Sequence, residues 1–74
     1  MTGSLPVPGA VLRIPEADYK FGLGELHLRV TRVGQMYRES DGIWVEVAGM
    51  QLTSSGEDYQ ARPYVLVRVT RVRA

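Results

Sequence analysis

Apolar and polar residues alternate along two segments of the chain, residues 26–30 and residues 43–48. A period of two places every second side chain on the same face of an extended strand, so each segment predicts a β-strand with one buried face. Val11–Ile14 and residues 62–72 are rich in β-branched side chains, which also favour strands. No segment shows the 3.6-residue period of a long amphipathic helix, so the pattern predicts an all-β protein with little or no helix.

Glycines divide the apolar segments further. Asp41-Gly42 predicts a tight hairpin turn, because both residues tolerate positive φ. Gly49 predicts a bend that separates residues 43–48 from a short strand at 50–53, and Gly34 predicts a bulge or bend at residues 32–34. The expected fold is therefore a single domain, a small five-stranded antiparallel β-barrel.

The remaining segments are predicted as connections. Residues 1–9 contain two prolines and are expected to form a flexible lead-in. Residues 15–25 are expected to form a long loop with at most one helical turn, and residues 54–58 a polar loop. The last strand is apolar on both faces at residues 64–67, which predicts that it pairs on both sides.

Pairing across Asp41-Gly42 assigns side chains to the two faces of the sheet. Even-numbered residues of the second strand lie beside odd-numbered residues of the third. The predicted core face is Leu28, Val30, Gly34, Met36, Ile43, Val45 and Val47. The predicted outer face is His27, Arg29, Thr31, Val33, Tyr37, Trp44 and Glu46.

Tyr37 and Trp44 are expected to be cross-strand neighbours on the outer face. Two interpretations of Trp44 stay open. It is an exposed contact residue, or it completes a second core layer that the N-terminal segment or the long loop covers.

The pentapeptide Arg-Val-Thr-Arg-Val occurs at residues 29–33 and again at 68–72. Arginines three residues apart point to opposite faces of a regular strand unless a bulge intervenes. One interpretation is a ring of arginines at one barrel end that grips phosphate or acidic side chains, formed by Arg29, Arg32, Arg68 and Arg71. The other is that these side chains reach separately to water.

The order of elements resembles a Src-homology-3-like barrel, and Gly24-Glu25-Leu26 and Asp41-Gly42-Ile43-Trp44 carry most of the resemblance. The peptide-binding members have an Ala-Leu-Tyr-Asp-Tyr segment and a late Ser-Asn-Tyr, of which this chain has only Ala17-Asp18-Tyr19. The resemblance therefore implies a shape and not a ligand. The chain is also similar in style to small proteins of high-GC bacteria.

Candidate chemistry is sparse. The chain has one histidine (His27), no cysteine and a net charge of +1. A protein metal site needs several such ligands, and no serine has a histidine base in a plausible arrangement, so we expect no metal, no cofactor and no enzymatic activity. Without cysteine, a secretory signal or a long apolar segment, we expect a cytoplasmic protein without membrane contact.

These observations favour an interaction module that binds a protein or peptide partner through an aromatic and arginine face. The residues expected to form it are Tyr19, Arg29, Tyr37, Trp44 and Arg68. One alternative is a small barrel that binds single-stranded RNA or DNA through the same face. Another is a structural subunit whose first or last strand pairs with a second copy. The oligomeric state stays open.

Overall fold

The computed structural model describes residues 6–71, with side chains described as far as Val69. This part of the chain is all-β, as the alternating pattern predicts. It contains four strands and one short 3₁₀ turn at Glu16–Asp18. The strands are β1 (Val11–Ile14), β2 (Leu26–Glu39), β3 (Gly42–Leu52) and β4 (Asp58–Arg71).

The strands form one antiparallel sheet in the order β1-β2-β3-β4, which curls into a half-barrel. The described residues contain four strands instead of the expected five, because β3 continues through Gly49. Gly49 is needed for a different reason. A Cβ at this position would overlap the backbone carbonyl of Arg29, so the absence of a side chain lets β2 and β3 approach.

The irregularity predicted at residues 32–34 is confirmed as two bulges in β2. Thr31 is the extra residue between the pairs Val30↔Gly49 and Arg32↔Ala48, and a second shift lies between Val33↔Val47 and Met36↔Val45. Each bulge exchanges the two faces of β2 for the residues beyond it.

The bulges correct part of the predicted face assignment. Val33, expected on the outer face, packs against the core. Gly34, expected on the core face, lies against the outer-face residue Glu46. Met36 pairs with the core residue Val45 and so keeps its predicted face, but it is 53% exposed near the end of β2. Leu28 and Val30 precede both shifts and lie in the core, as predicted.

The core lies inside the curl of the sheet. Aliphatic side chains of every strand meet there, and Tyr19 from the long loop joins them. The most deeply buried members are Leu26, Leu28, Val30, Val45 and Val47. At about 25 cal/mol per Å² of buried apolar surface, this cluster is the main source of stability in a chain without disulfides.

β4 does not pair with a strand on both sides, contrary to expectation. Within residues 6–71 it lies at the edge of the sheet, and its only pairing beyond β3 is an isolated bridge between Tyr19 and Val67. The Lys20 amide donates to the Leu66 carbonyl at 3.1 Å beside this bridge. The long loop therefore covers the middle of the edge. Val65 and Val67 face the core, and Tyr64 and Leu66 line a pocket on the other face, which accounts for the apolar character of residues 64–67.

Residues 6–9 belong to the fold and do not form the expected flexible lead-in. Pro6 is buried, and the Gly9 amide donates to the Val30 carbonyl at 2.7 Å. Residues 1–5, the rest of that predicted segment, lie outside the described part of the chain.

Candidate functional site

The outer face of the sheet carries a small pocket around the aromatic pair. Tyr37 pairs directly with Trp44 across β2 and β3, as predicted. The pocket has a volume of about 200 Å³. It is lined by Lys20, Tyr37, Glu39, Trp44, Tyr64 and Leu66.

Trp44 lies on this face but is only 4% exposed, so its interpretation as an exposed contact residue is wrong. Its indole N–H donates to Asp41 Oδ1 at 2.8 Å. Lys20 Nζ lies 4.8 Å from the ring centroid and Arg68 Cζ 5.4 Å from it. The second interpretation, a second core layer covered by the long loop, is confirmed.

Arg68 ties three segments together beside the indole. Its guanidinium donates to Asp18 Oδ1 at 2.9 and 3.1 Å, to the Ala17 carbonyl at 2.9 Å and to Asp41 Oδ2 at 3.2 Å. The side chain is 11% exposed. The hydrogen bond from Trp44, followed by a backbone hydrogen bond to the Asp41 carboxylate and by the charge of Arg68, holds the pKa of Asp41 below its usual range. Arg68 is therefore a structural residue whose donors are already engaged.

Tyr37 and Glu46 form a second polar pair on the outer face. The Tyr37 hydroxyl donates to Glu46 Oε2 at 2.7 Å, and the Gln35 amide donates to Oε1 at 3.3 Å. The bond to the Glu46 carboxylate raises the pKa of Tyr37 to about 12, because ionisation would place two negative charges side by side. The same bond lowers the pKa of Glu46.

The arginine ring inferred from the repeat does not form among the described side chains. Arg29 pairs with Met50 near one end of β3 and makes a 3.0 Å ion pair with Asp58. Arg68 pairs with Trp44 near the other end. Arg32 is exposed because the Thr31 bulge turns it outwards. The side chain of Arg71 lies outside the described residues.

Tyr19 is a core residue and not an exposed contact, which corrects its predicted role. It is 7% exposed, and its hydroxyl donates to the Gly24 carbonyl at 2.8 Å. Its ring occupies the space where a Cβ of Gly22 would lie. The loop from Lys20 to Gly24 is thus wrapped around the Tyr19 ring and anchored at both ends.

The same loop presents the most exposed apolar side chains of the described chain. Phe21 is 98% exposed and Leu23 is 92% exposed. Phe21 has φ of +66°, a conformation that is uncommon for an aromatic residue. We call residues 21–23 the display loop. The sequence carried one signal of it, two large apolar residues among glycines in a segment without strand periodicity.

His27, predicted on the outer face, is half-buried. Its Nδ1 lies 3.0 Å from the Thr53 carbonyl, so Nδ1 carries the proton and donates it. No group of three or more histidine, cysteine or acidic residues within residues 6–69 is arranged to hold a metal ion. Among the described residues, no helix has the length and hydropathy needed to cross a membrane.

Comparison of the chain with protein-family models, with curated proteins and with solved structures returns no match.

Proposed function

We propose that this chain is a non-catalytic interaction module that binds a protein partner through its display loop. The observation that carries the proposal is the near-complete exposure of Phe21 and Leu23 on an anchored loop. Two large apolar side chains almost fully exposed within three residues are typical of a surface that a partner covers. The partner's complementary surface is an apolar cleft that accepts an aromatic and an aliphatic side chain.

The backbone of the loop supports this proposal. A residue at φ of +66° with a Cβ is strained relative to glycine or asparagine, so Phe21 costs folding energy. Its side chain returns nothing to the fold, since it is 98% exposed. Because Phe21 destabilises the fold and buries no apolar surface within it, we infer that its ring contacts a second molecule.

The anchors of the loop support it as well. Tyr19 below the loop and the Lys20 bond to β4 fix both flanks before a partner arrives. A preorganised loop loses less conformational entropy on binding than a flexible one, so two side chains are enough to form a small anchor.

Site-specific crosslinking tests the proposal. A photoreactive phenylalanine analogue at position 21, introduced in the native cell, is expected to give one discrete adduct with a protein. The same analogue at Ser54, an exposed position in the β3–β4 connection, is the matched control. The proposal fails if position 21 gives no discrete adduct, or if position 54 gives the same one. A Leu23→Ser change should reduce the adduct from position 21 several-fold.

Two other functions have weaker support. Nucleic-acid binding was expected to use Arg29 and Arg68, and both guanidinium groups are engaged by aspartates. Edge pairing with a second copy was expected through the first or the last strand, and the edge of β4 opposes it. Pro63 lacks an N–H there, and Tyr19 and Lys20 occupy its middle.

The closed five-stranded barrel of Src-homology-3-like shape is also kept as a proposal. A groove of about 430 Å³ lies on the open side of the half-barrel, between β1 and the C-terminal half of β4. Leu12 and Ile14 line it from one side, Val67 and Val69 from the other. An additional extended segment lying there would complete the barrel by hydrogen bonding to the free edge of β1.

A further inference from the structure

The pocket beside Trp44 already holds a cation supplied by the chain itself. Lys20 Nζ lies 4.8 Å from the centroid of the indole ring, within the range of a cation–π interaction. Lys20 is the chain's only lysine, and Trp44 its only tryptophan. The pocket thus has room for an alkylammonium group next to the Trp44 ring.

Lys20 is held at this place by its contact with the indole and by a longer-range attraction to Asp41, whose pKa its charge helps to lower. The salt bridges of the described residues do not include its ammonium group. Arg68, the second cation near the indole, is by contrast fixed by Asp18 and Asp41. Of the two cations, Lys20 is therefore the one that a competitor can displace.

The surroundings favour a positive ligand once Lys20 leaves. Glu39 lines the pocket, and Glu46 lies directly behind the Tyr37 hydroxyl. The charge of Arg68 is balanced by its two aspartates. The departure of Lys20 would remove the ammonium group from the pocket lining and leave Glu39 and three aromatic rings (Tyr37, Trp44 and Tyr64) around the space, while Glu46 keeps Arg32 as a neighbouring cation.

We infer that this pocket is a binding site for an alkylammonium group, such as a lysine or methylated lysine side chain, and that Lys20 occupies it as an internal competitor. Binding then exchanges one ammonium for another on the indole. The apparent affinity is lowered by the fraction of molecules in which Lys20 blocks the site. The site uses other side chains than the display loop and does not depend on the proposed protein partner.

Fluorescence of Trp44, the sole tryptophan, reads the exchange directly. Choline is the probe, and 3,3-dimethylbutan-1-ol, which has the same shape without the charge, is the control ligand. Both are titrated at constant ionic strength into the wild type and into Lys20→Met, which keeps an unbranched side chain and removes the ammonium. We expect saturable binding of choline only, tightened about fivefold or more by Lys20→Met.

Two further variants locate the site. Glu39→Gln should weaken choline binding, because it removes a carboxylate from the pocket lining. Leu23→Ser should leave it unchanged, and this separates the pocket from the display loop. N-acetyl-lysine methylamide and its trimethylated form, titrated in the same way, then show which kind of lysine the site prefers, and saturable binding of either supports the inference.

Three results would overturn the inference: no saturable response to choline in either protein, an equal response to the neutral alcohol, or no tightening by Lys20→Met. If Lys20→Met does not fold, the wild type decides the question. The indole N–H resonance of Trp44 should shift with choline but not with the alcohol, and Glu39→Gln should reduce that response. An unmoved resonance contradicts the site.

Discussion

The Tyr37 hydroxyl is the group of the outer face whose protonation state depends most clearly on its surroundings. Glu46 raises its pKa from 10.0 to about 12, so the folded state favours the neutral phenol more than the unfolded state does. The resulting stabilisation is fully present below pH 10 and is lost as the pH rises through 12.

We predict that Glu46→Gln lowers the pKa of Tyr37 towards 10, because the adjacent negative charge is gone. Absorbance of the tyrosinate band during an alkaline titration measures the change. Tyr37→Phe assigns the transition, since the late-titrating component should disappear in that variant. An unchanged late component in Glu46→Gln would contradict the assignment of the shift to this hydrogen bond.

The backbone conformation of Phe21, with φ of +66°, lowers the free energy of unfolding. We predict that Phe21→Asn raises the free energy of unfolding by about 1 kcal/mol, since asparagine tolerates positive φ better. Denaturant unfolding measures the change. Leu23→Asn, at an exposed neighbouring position without positive φ, should change stability by less than about 0.5 kcal/mol. A loss of stability in Phe21→Asn would show that the phenyl ring supports the fold.

At the level of elements, the pairing of β2 with β3 depends on what each bulge and glycine permits. Gly49 faces the Arg29 carbonyl, a backbone atom that cannot move without breaking the ladder, whereas Gly34 faces the end of the flexible Glu46 side chain. We predict that Gly49→Ala lowers the free energy of unfolding by about 1–3 kcal/mol or more.

Gly34→Ala is the matched control, because the Glu46 carboxylate can rotate away from the new methyl group. We expect it to cost less than Gly49→Ala, and we expect it to weaken the Tyr37–Glu46 bond. Chemical denaturation of both variants checks the order. Equal costs would mean that β2 and β3 can separate locally at Gly49.

The alternation of apolar and polar residues predicted the faces of the β2–β3 hairpin correctly next to the turn. It failed at the bulges, where the two faces of β2 are exchanged. It identified the pair Tyr37 and Trp44, because the two strands are regular next to the turn. It misplaced Val33 and Gly34, because a bulge exchanges the faces and the sequence shows only that an irregularity occurs.

The candidate site was predictable only in part, for a different reason. The burial of Trp44 depends on Lys20 and Arg68, which lie 24 residues away in opposite directions along the chain. The role of Phe21 depends on the Tyr19 ring beneath its loop. Neither arrangement produces a periodic pattern in the sequence, because both depend on tertiary contacts.

For the molecule as a whole, the open side of the half-barrel leaves one edge of β1 available for a further strand. The Val30 amide donates to the Ala10 carbonyl at 2.8 Å, and Val11–Ile14 continue the antiparallel pairing with β2. Hydrogen bonds alternate along such a strand. The amides of Leu12 and Ile14 therefore face β2, and those of Val11 and Arg13 face the groove.

We predict that hydrogen exchange of the isolated chain at low concentration alternates along β1. Leu12 and Ile14 should be protected, and Val11 and Arg13 should exchange quickly, because no strand within residues 6–71 pairs with their edge. The two sets of amides belong to one strand, so each controls for general opening of the other. An added extended segment that closes the barrel would protect Val11 and Arg13 selectively. Equal protection of all four amides in the isolated monomer would mean that the chain already closes its own barrel, and the groove would then not be available to a fifth strand from outside.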